Sequence, residues 1–265
     1  MSEKETVLAA TGGTQLPAHL QDQPIVGMEK VGKNVITPRL TITQSSSKAP
    51  LTSVHPVQSV SFSSTEIRIA NSLLDSEIKD GERASEPFTV VPVYHYITYE
   101  KRSDYYDDSQ VMILESTQDR NTPLARRCLD FNLREEPYVI GTRKYTYQYL
   151  VCLNYFLEIQ DGEAAGEVCI YTYHKGNFKT GKQFNTFLKR RNRSIYDNRV
   201  DLFAMHRMNK KGDFWLTLGF SDPRDEGGIY VQSPDDTKRL QELNQIFKGG
   251  METGDIQVVP EEPLQ

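Results

Sequence analysis

The chain has 265 residues, of which 37% are apolar and 25% charged, and its formal net charge is −5 at pH 7. This length and composition fit a globular protein with a substantial core and polar flanks, and they exclude a chain that is disordered throughout. No run of residues approaches the 18 apolar positions of a membrane-spanning helix, and the N-terminal sequence lacks the pattern of a secretion signal, so no membrane partner is predicted.

Three cysteines, Cys128, Cys152 and Cys169, are spread along the chain, and no two of them form a C-x-x-C pair. An odd number of cysteines without such a pair predicts neither a zinc site nor a disulfide framework, and it fits a reducing cytosol. Cys152 and Cys169 fall in strand-like runs, where they are expected to act as small buried hydrophobic residues.

The first part of the chain contains few periodic segments. Residues 1–24 are polar and aperiodic, which predicts a disordered arm. Leu40 and Ile42 alternate with polar residues after Pro38, which predicts a short half-buried strand. Residues 65–74 are compatible with a strand or with a helix, and their pattern does not decide between the two.

Two longer stretches have the alternation of β-strands. Residues 88–99 are strand-like, and Pro92 favours a sheet edge or a bulge. One face of this strand is expected to hold Val91, Val93 and Ile97, and the other Phe88, Val90, Tyr94 and Tyr96. Residues 143–159 form the clearest alternation in the chain, which predicts one long strand with a packed face of odd-numbered residues and a wetter face of even-numbered residues.

The remaining elements are predicted to be a hairpin, a helix, a second hairpin and a final helix. Their expected bounds are Val168–Tyr173 after a turn at Asp161 and Gly162, Phe178–Arg190 for the helix, Asp201–Met208 and Asp213–Phe220 for the second strand pair, and Pro234–Lys248 for the last helix, which Gly249 ends. Residues 250–265 are expected to form a flexible, weakly acidic tail.

This order of elements predicts the fold class. Strands, one helix between strand pairs and a final helix indicate a mainly β (α+β) protein. The most economical arrangement is an antiparallel barrel like the oligonucleotide-binding (OB) fold, or a sandwich, with helical insertions and a C-terminal helix. A single domain is expected to span residues 25–249.

Catalytic and metal-binding patterns are missing from the sequence. It contains no P-loop, dinucleotide-binding, zinc-protease or nucleophile-elbow motif, and residues 176–182 are best interpreted as a turn that enters a helix. The five histidines are scattered, and Asp104, Asp107 and Asp108 lack the rest of a calcium loop. We therefore predict a protein that is not an enzyme and that has no catalytic residue, no metal and no cofactor.

The most unusual segment of the chain is residues 170–211. From residue 174 to residue 211 there are eleven Lys and Arg against Asp197 and Asp201, a balance of about +9, which leaves about −14 for the rest of a chain whose total is −5. A basic segment with aromatic residues in it, within an acidic chain, is typical of a nucleic-acid-binding surface. The alternative interpretation is an ordinary solvated helix face.

Under the nucleic-acid interpretation, specific residues take two roles. The cations expected to neutralise phosphates are Lys175, Lys179, Lys182, Arg190, Arg191, Arg193, Lys210 and Lys211. The aromatic residues expected to stack on bases are Trp215, Tyr171 and Tyr173. The pattern leaves open whether Trp215 is a core residue instead, and whether the two tyrosines point inward with Cys169.

Four stretches of the sequence also resemble a known family. They are VGKNVITPRLTITQSSSKAP (residues 31–50), VVPVYHYITYEKR (90–102), GNFKTGKQFNT (176–186) and FWLTLGF (214–220). In this order, over about residues 25–222, they resemble a family of tailed-bacteriophage proteins, whose members are single-stranded DNA-binding or replication-associated proteins and, in some cases, virion proteins. Members often carry a Cys-rich insertion in the middle of the chain. This chain has only Cys128 in that region, so no metal knuckle is expected.

The resemblance implies a function and a set of partners. It implies binding of single-stranded DNA in support of phage DNA replication or recombination, in the cytoplasm of the infected bacterial host. It also implies contacts of the C-terminal tail with replication or recombination proteins, and it leaves a homo-oligomer open. The alternative is a virion or assembly protein that uses its Tyr-rich strands for protein–protein contacts.

Overall fold

The computed structural model describes residues 37–44, 54–62, 67–73, 79–103, 113–130, 137–140, 143–224, 227–253 and 256. The arm expected over residues 1–24 and most of the tail expected over residues 250–265 lie outside these ranges. Asp104, Asp107 and Asp108 lie outside them as well.

The described residues form eleven strands and three α-helices. In chain order they are β1 (Leu40–Ile42), β2 (Val60–Phe62), β3 (Arg68–Ala70), β4 (Phe88–Arg102), β5 (Ile113–Thr117), α1 (Pro123–Leu129), β6 (Pro137–Ile140), β7 (Arg143–Thr146), β8 (Gln148–Ile159), β9 (Val168–Tyr173), α2 (Phe178–Arg190), β10 (Val200–Met208), β11 (Phe214–Ser221) and α3 (Pro234–Thr253). The segment left undecided at residues 65–74 contains the strand β3, and the expected bounds of α2 are confirmed.

The main sheet has six antiparallel strands in the order β11-β10-β4-β8-β9, with β5 paired to the far end of β4. A second sheet has the order β1-β2-β3, and β6 pairs with β7. The protein is therefore mainly β with a few helices, as expected. Among the described strands the main sheet does not close into a barrel, because its two end strands, β9 and β11, do not pair.

Side chains rather than a backbone ladder connect these two end strands. The Tyr173 hydroxyl donates to the Leu218 carbonyl oxygen at 3.1 Å, and the Leu218 N–H donates to the Tyr171 hydroxyl oxygen at 3.3 Å. Two residues away, the Gln44 amide bonds both the N–H and the carbonyl of Leu216, each at 3.0 Å. At Leu216 and Leu218 the backbone groups on the edge of β11 are thus satisfied without a neighbouring strand.

A bulge in β4 changes which side chains face the core. The pairing of β4 with β8 shifts between Pro92 and Tyr94, as the bulge interpretation of Pro92 anticipated. Beyond the bulge the two faces exchange, so Tyr96 packs with Val93, whereas Ile97 packs against the main core. The expectation that Val93 and Ile97 share a face is wrong, because one extra residue reverses the alternation of a strand.

Strand β8 has two buried faces, so the prediction of a wetter face is wrong. Its odd-numbered residues from Leu153 to Ile159 line the main core, as expected. On the other face Phe156 is fully buried, because α3 lies over it and stacks Phe247 on its ring with centroids 4.1 Å apart. Helix α3 is 20 residues long and also covers the charged side chain of Glu158 on this face.

Helix α2 packs on the other side of the sheet, against the main core. Its apolar stripe buries Phe184 and Leu188. A glycine is required at Gly181, because a Cβ there would lie 2.7 Å from the Tyr173 Cβ and 2.9 Å from a Leu153 methyl carbon. The close approach fixes how α2 lies on β8 and β9.

Helix α3 is longer than expected at its C-terminal end. It continues through Gly249 to Thr253, so the expected boundary between domain and tail falls inside a helix. Ile256 folds back on the helix, its N–H donates to the Gly250 carbonyl at 3.1 Å, and its side chain fills the space beside that glycine. No described helix combines the length and apolar character needed to span a membrane.

Candidate nucleic-acid interface

Helix α2 runs alongside the edge strand β11 and in the same direction. Just before the helix, Gly176 lies against the indole of Trp215 near the start of β11. Further along, Phe184 and Phe187 pack on Phe220 near its end, with ring centroids 5.1 and 5.0 Å apart. The cations before and on α2 are therefore arranged along one side of the molecule, and the β10–β11 turn lies at the N-terminal end of the helix.

The outward face of α2 carries cations that form no ion pair among the described residues, although the Lys182 ammonium lies 4.8 Å from the centroid of the Phe178 ring. Lys179, Lys182, Lys189 and Arg190 are exposed on the side opposite the buried Phe184, and the helix contains no Asp or Glu. These four side chains form no ion pair with any residue that the structure describes. A helix of 13 residues is about 20 Å long. Lys189 was not among the predicted phosphate contacts, although its spacing from Lys182 places it on the same face of the helix.

The charge near the N-terminus of α2 is unfavourable for the helix itself. The first turn contains no acidic residue, and Lys179 and Lys182 stand near the N-terminus, where the helix dipole favours negative charge. A cation in the first turn costs about 0.3–1 kcal/mol, whereas Lys189 and Arg190 in the last turn are favourable to the dipole. Helix stability therefore does not explain the two cations near the N-terminus.

The β10–β11 turn combines cations with an exposed aromatic ring. Lys210 and Lys211 are exposed and form no ion pair among the described residues, and the turn is held by the Asn209 carboxamide oxygen, which accepts from the Lys211 N–H at 2.8 Å. Directly after the turn, Phe214 is 50% exposed and faces Met208, its cross-strand neighbour, which is 39% exposed. Phe214 lies on the apolar face of β11 with Leu216 and Leu218, but it is exposed because the core does not extend to this end of the strand.

The remaining exposed cations of residues 170–211 lie at the two ends of α2. Lys175 precedes the helix, and Arg193 follows it with its guanidinium 6.0 Å from the Tyr230 ring. A shallow open hollow of about 520 Å³ at the C-terminal end is lined by Lys189, Asn192, Arg193, Ser194 and Asp197. We use the name basic edge for Phe214 together with the exposed cations Lys175, Lys179, Lys182, Lys189, Arg190, Arg193, Lys210 and Lys211.

Arg191 does not belong to the basic edge, so its predicted phosphate contact is wrong. Its side chain is only 6% exposed and forms an ion pair with Asp222 at 2.6 Å. The guanidinium also donates to the carbonyl oxygens of Arg199 at 2.6 Å and Ile229 at 3.2 Å. These contacts hold the end of α2 to the segment after β11, so this cation is used within the fold.

Tyr171 and Tyr173 are core residues, and their predicted role as stacking platforms is wrong. They are 7% and 1% exposed, and their rings pack edge to face with centroids 4.7 Å apart. The inward alternative is the one observed, because this face of β9 packs under α2. Burial raises the pKa of Tyr173 well above its usual value, so its hydroxyl stays protonated and donates across the gap to β11.

Trp215 is neither a free platform nor a full core residue. It is half-buried, and a Cβ on Gly176 would lie 3.1 Å from its Cε2 atom. The indole N–H is buried and has no hydrogen-bond partner among the described residues. The segment just before α2 therefore covers part of the indole.

The pKa values of two half-buried histidines, His95 and His174, predict how the stability of the protein depends on pH. Burial, and then the nearby charges of Arg102 and Lys175, lowers the pKa of His174 to about 4, and burial lowers the pKa of His95 to about 4. An unfolded histidine has a pKa near 6.5, so between about pH 4 and 6.5 the unfolded chain binds more protons than the folded one. We expect the free energy of unfolding, measured in urea, to fall as the pH is lowered through this window and to be insensitive to these groups above about pH 7.5.

The matched variants are His174→Gln and His95→Gln. Each should flatten the fall in stability between about pH 6.5 and 4, because the titrating group is removed. A pH dependence that the double variant leaves unchanged would assign the effect to other groups.

Comparisons of the chain with family models, with curated proteins and with solved structures found no match. Within the described ranges, no three His, Cys, Asp or Glu side chains are grouped so that they could hold a metal ion. Cys128, Cys152 and Cys169 are free and buried, and burial raises the pKa of each thiol, in keeping with a structural role for Cys152 and Cys169. The partner of the basic edge is therefore inferred from its own chemistry.

Proposed function

We propose that the protein binds single-stranded DNA through the basic edge, without catalysing a reaction. The observation that carries this proposal is the exposed ring of Phe214 beside the unpaired cations Lys210 and Lys211 at the tip of the β10–β11 hairpin. Cations alone would suit any polyanion, whereas an exposed aromatic ring among them provides a stacking surface for an unpaired base.

The layout of the basic edge supports a strand-like ligand. Its cations extend from the hairpin tip along the roughly 20 Å of α2, so several consecutive phosphates can be neutralised by one face. The rest of the chain is acidic, which favours binding in this one orientation. Bases in a duplex are stacked on each other and would not reach Phe214, which argues for a single strand.

We also propose that the main sheet is an OB-type barrel that is open at one seam. An OB barrel has five strands, which here would be β4, β8, β9, β10 and β11 in that order. Strand one pairs with strands two and four, strand two also pairs with strand three, and strand four also pairs with strand five. Helix α2 lies between strands three and four. The tyrosine bonds to Leu218 join strands three and five. In such barrels the loop between strands four and five contacts oligonucleotides, and here that loop carries Lys210 and Lys211.

The resemblance to tailed-phage proteins supplies the biological setting of the proposal. We propose a role in phage DNA replication or recombination in the cytoplasm of the infected bacterium. The alternative of a virion protein assembled through Tyr-rich strands has less support, because the tyrosines of β4, β8 and β9 are largely used in the chain's own core: Tyr96, Tyr99, Tyr155, Tyr171 and Tyr173 are buried.

The test is the fluorescence anisotropy of labelled oligo-dT titrated with the protein over a series of salt concentrations. We expect salt-dependent binding, and we expect Phe214→Ala to weaken it by about 1–3 kcal/mol, or roughly 5- to 150-fold, through the loss of one stacking contact. The salt dependence of the variant should equal that of the wild type, because no charge is removed.

Ile246→Ala is the matched control, since Ile246 is 61% exposed on α3, away from the basic edge. It should leave the affinity unchanged. Affinity that is independent of salt, or an equal loss in both variants, would contradict the proposal. Equal competition by duplex DNA would contradict the preference for single strands.

A further inference from the structure

A seam with unpaired polar atoms lies between the start of α2 and β11. Trp215 and Thr217 share one face of β11, because they are two residues apart in a strand, and Gly176 contacts this face at the indole. Buried polar atoms without a hydrogen-bond partner among the described residues occur on both sides: Trp215 Nε1, Thr217 Oγ1, His174 Nδ1, Asn177 Oδ1 and Thr180 Oγ1. We call these five residues, with Lys175 and Gly176, the Trp215 seam.

The seam is unusual in energetic terms. Thr217 is 0% exposed and Thr180 1%, so their hydroxyls are removed from solvent without a partner among the described residues. Folded proteins keep few such groups. Lys175 adds strain, since its φ of 47° lies in the left-handed region that a lysine seldom adopts. Backbone strain beside unpaired buried polar atoms is typical of a site that changes on binding.

We propose that the Trp215 seam is a nucleobase-binding slot that the segment His174–Asn177 covers in the free protein. When a single strand binds, the segment moves away from the indole and one base stacks on Trp215 in the place of Gly176. The polar edge of the base then pairs with the Thr217 hydroxyl and the Asn177 carboxamide. This proposal rests on the proposed function and assigns a base-recognition site to it.

The chemistry of the seam fits a base better than a simple anion. An indole offers a stacking surface, and hydroxyl and carboxamide groups offer the donors and acceptors that a base edge requires. At Cε2 and Cζ2 the indole is approached by Gly176, a residue without a side chain, so this contact can open by a movement of backbone alone. The exposed Lys179 lies on the first turn of α2, two residues after Asn177, where it can bind a neighbouring phosphate.

Intrinsic fluorescence tests the proposal, because Trp215 is the single tryptophan of the chain. The probes are oligo-dT and an abasic phosphodiester strand of the same length, and anisotropy of a labelled strand measures binding independently of the tryptophan. We expect both probes to bind and only oligo-dT to quench Trp215. Equal quenching by the two probes, or binding of oligo-dT without quenching, would overturn the slot and leave the proposed function standing. If neither probe binds, both proposals fail.

Thr217→Val gives a second, independent test. Replacing an unpaired buried hydroxyl by a methyl group should raise the midpoint of thermal unfolding, whereas the affinity for oligo-dT should fall about fivefold or more and the affinity for the abasic strand should not change. Ser61→Ala is the matched control, since it removes an unpaired buried hydroxyl from β2 and should leave both affinities unchanged. An unaltered affinity of Thr217→Val for oligo-dT, or an equal loss for both strands, would overturn the proposal.

Discussion

We expect the affinity for oligo-dT to fall by roughly 100- to 1,000-fold at about 0.1 M salt when the outward face of α2 is neutralised. The variant replaces four cations by glutamine: Lys179→Gln, Lys182→Gln, Lys189→Gln and Arg190→Gln. Each phosphate contact with a single strand contributes about 0.7 to the slope of log affinity against log salt, so the slope should shrink by about 2.8. Anisotropy titrations at several salt concentrations measure both quantities.

The fold should tolerate this change, which separates binding from stability. None of the four side chains forms an ion pair within the described part of the protein. Removing Lys179 and Lys182 relieves the unfavourable charge at the N-terminus of α2, whereas removing Lys189 and Arg190 loses favourable charge at its C-terminus. The unfolding midpoint should therefore change little. The control is Lys238→Gln with Lys248→Gln, two exposed lysines on α3. A slope that the four-fold variant leaves unchanged would exclude α2 as the phosphate-binding face.

Arg239→Met should lower the free energy of unfolding by about 3 kcal/mol. The Arg239 guanidinium binds both carboxylate oxygens of Glu158, at 2.6 and 2.8 Å, and the Glu158 side chain is only 2% exposed. Removing the arginine leaves a buried carboxylate with the Gln160 amide, at 2.8 Å, as its remaining side-chain donor among the described residues. An unpaired buried charge is among the largest costs that one substitution can cause.

A double variant distinguishes the effect of the unpaired Glu158 carboxylate from the effect of lost side-chain packing. Glu158→Met combined with Arg239→Met removes both charges, and it should recover most of the stability that Arg239→Met loses. Urea unfolding of the wild type, both single variants and the double variant gives the coupling free energy. A double variant that is no more stable than Arg239→Met would show that the packing of α3, and not the charge of Glu158, dominates.

Local patterns predicted the elements in which neighbouring residues decide the structure. The bounds of α2 follow from its apolar spacing, and both hairpins have their turns where glycine permits a positive φ, as at Gly162 and Gly212. The exposed lysines of α2 were predicted for a similar reason. The side of a helix that is opposite its apolar stripe faces solvent whatever the rest of the fold.

The predictions that were wrong concern residues whose burial is decided by an element distant in the sequence. Tyr171 was predicted to be a platform, but whether a face of β9 is open depends on where α2 packs. Arg191 differs from Arg190 in its contacts and not in its chemistry, since one reaches Asp222 and the other reaches solvent. Phe214 was not among the predicted site residues, and its exposure depends on where the core ends along β11.

The sequence alone determined that this is a mainly β protein with one strongly basic helix in an acidic chain, because period and charge are properties of consecutive residues. Only the tertiary structure decided which aromatic rings and cations remain at the surface. Burial is a property of residues that are far apart in the chain, as when α3 covers Phe156 and the loop after β11 takes up Arg191. The exposure of Phe214 and the partial covering of the Trp215 indole likewise depend on residues that are far away in the chain.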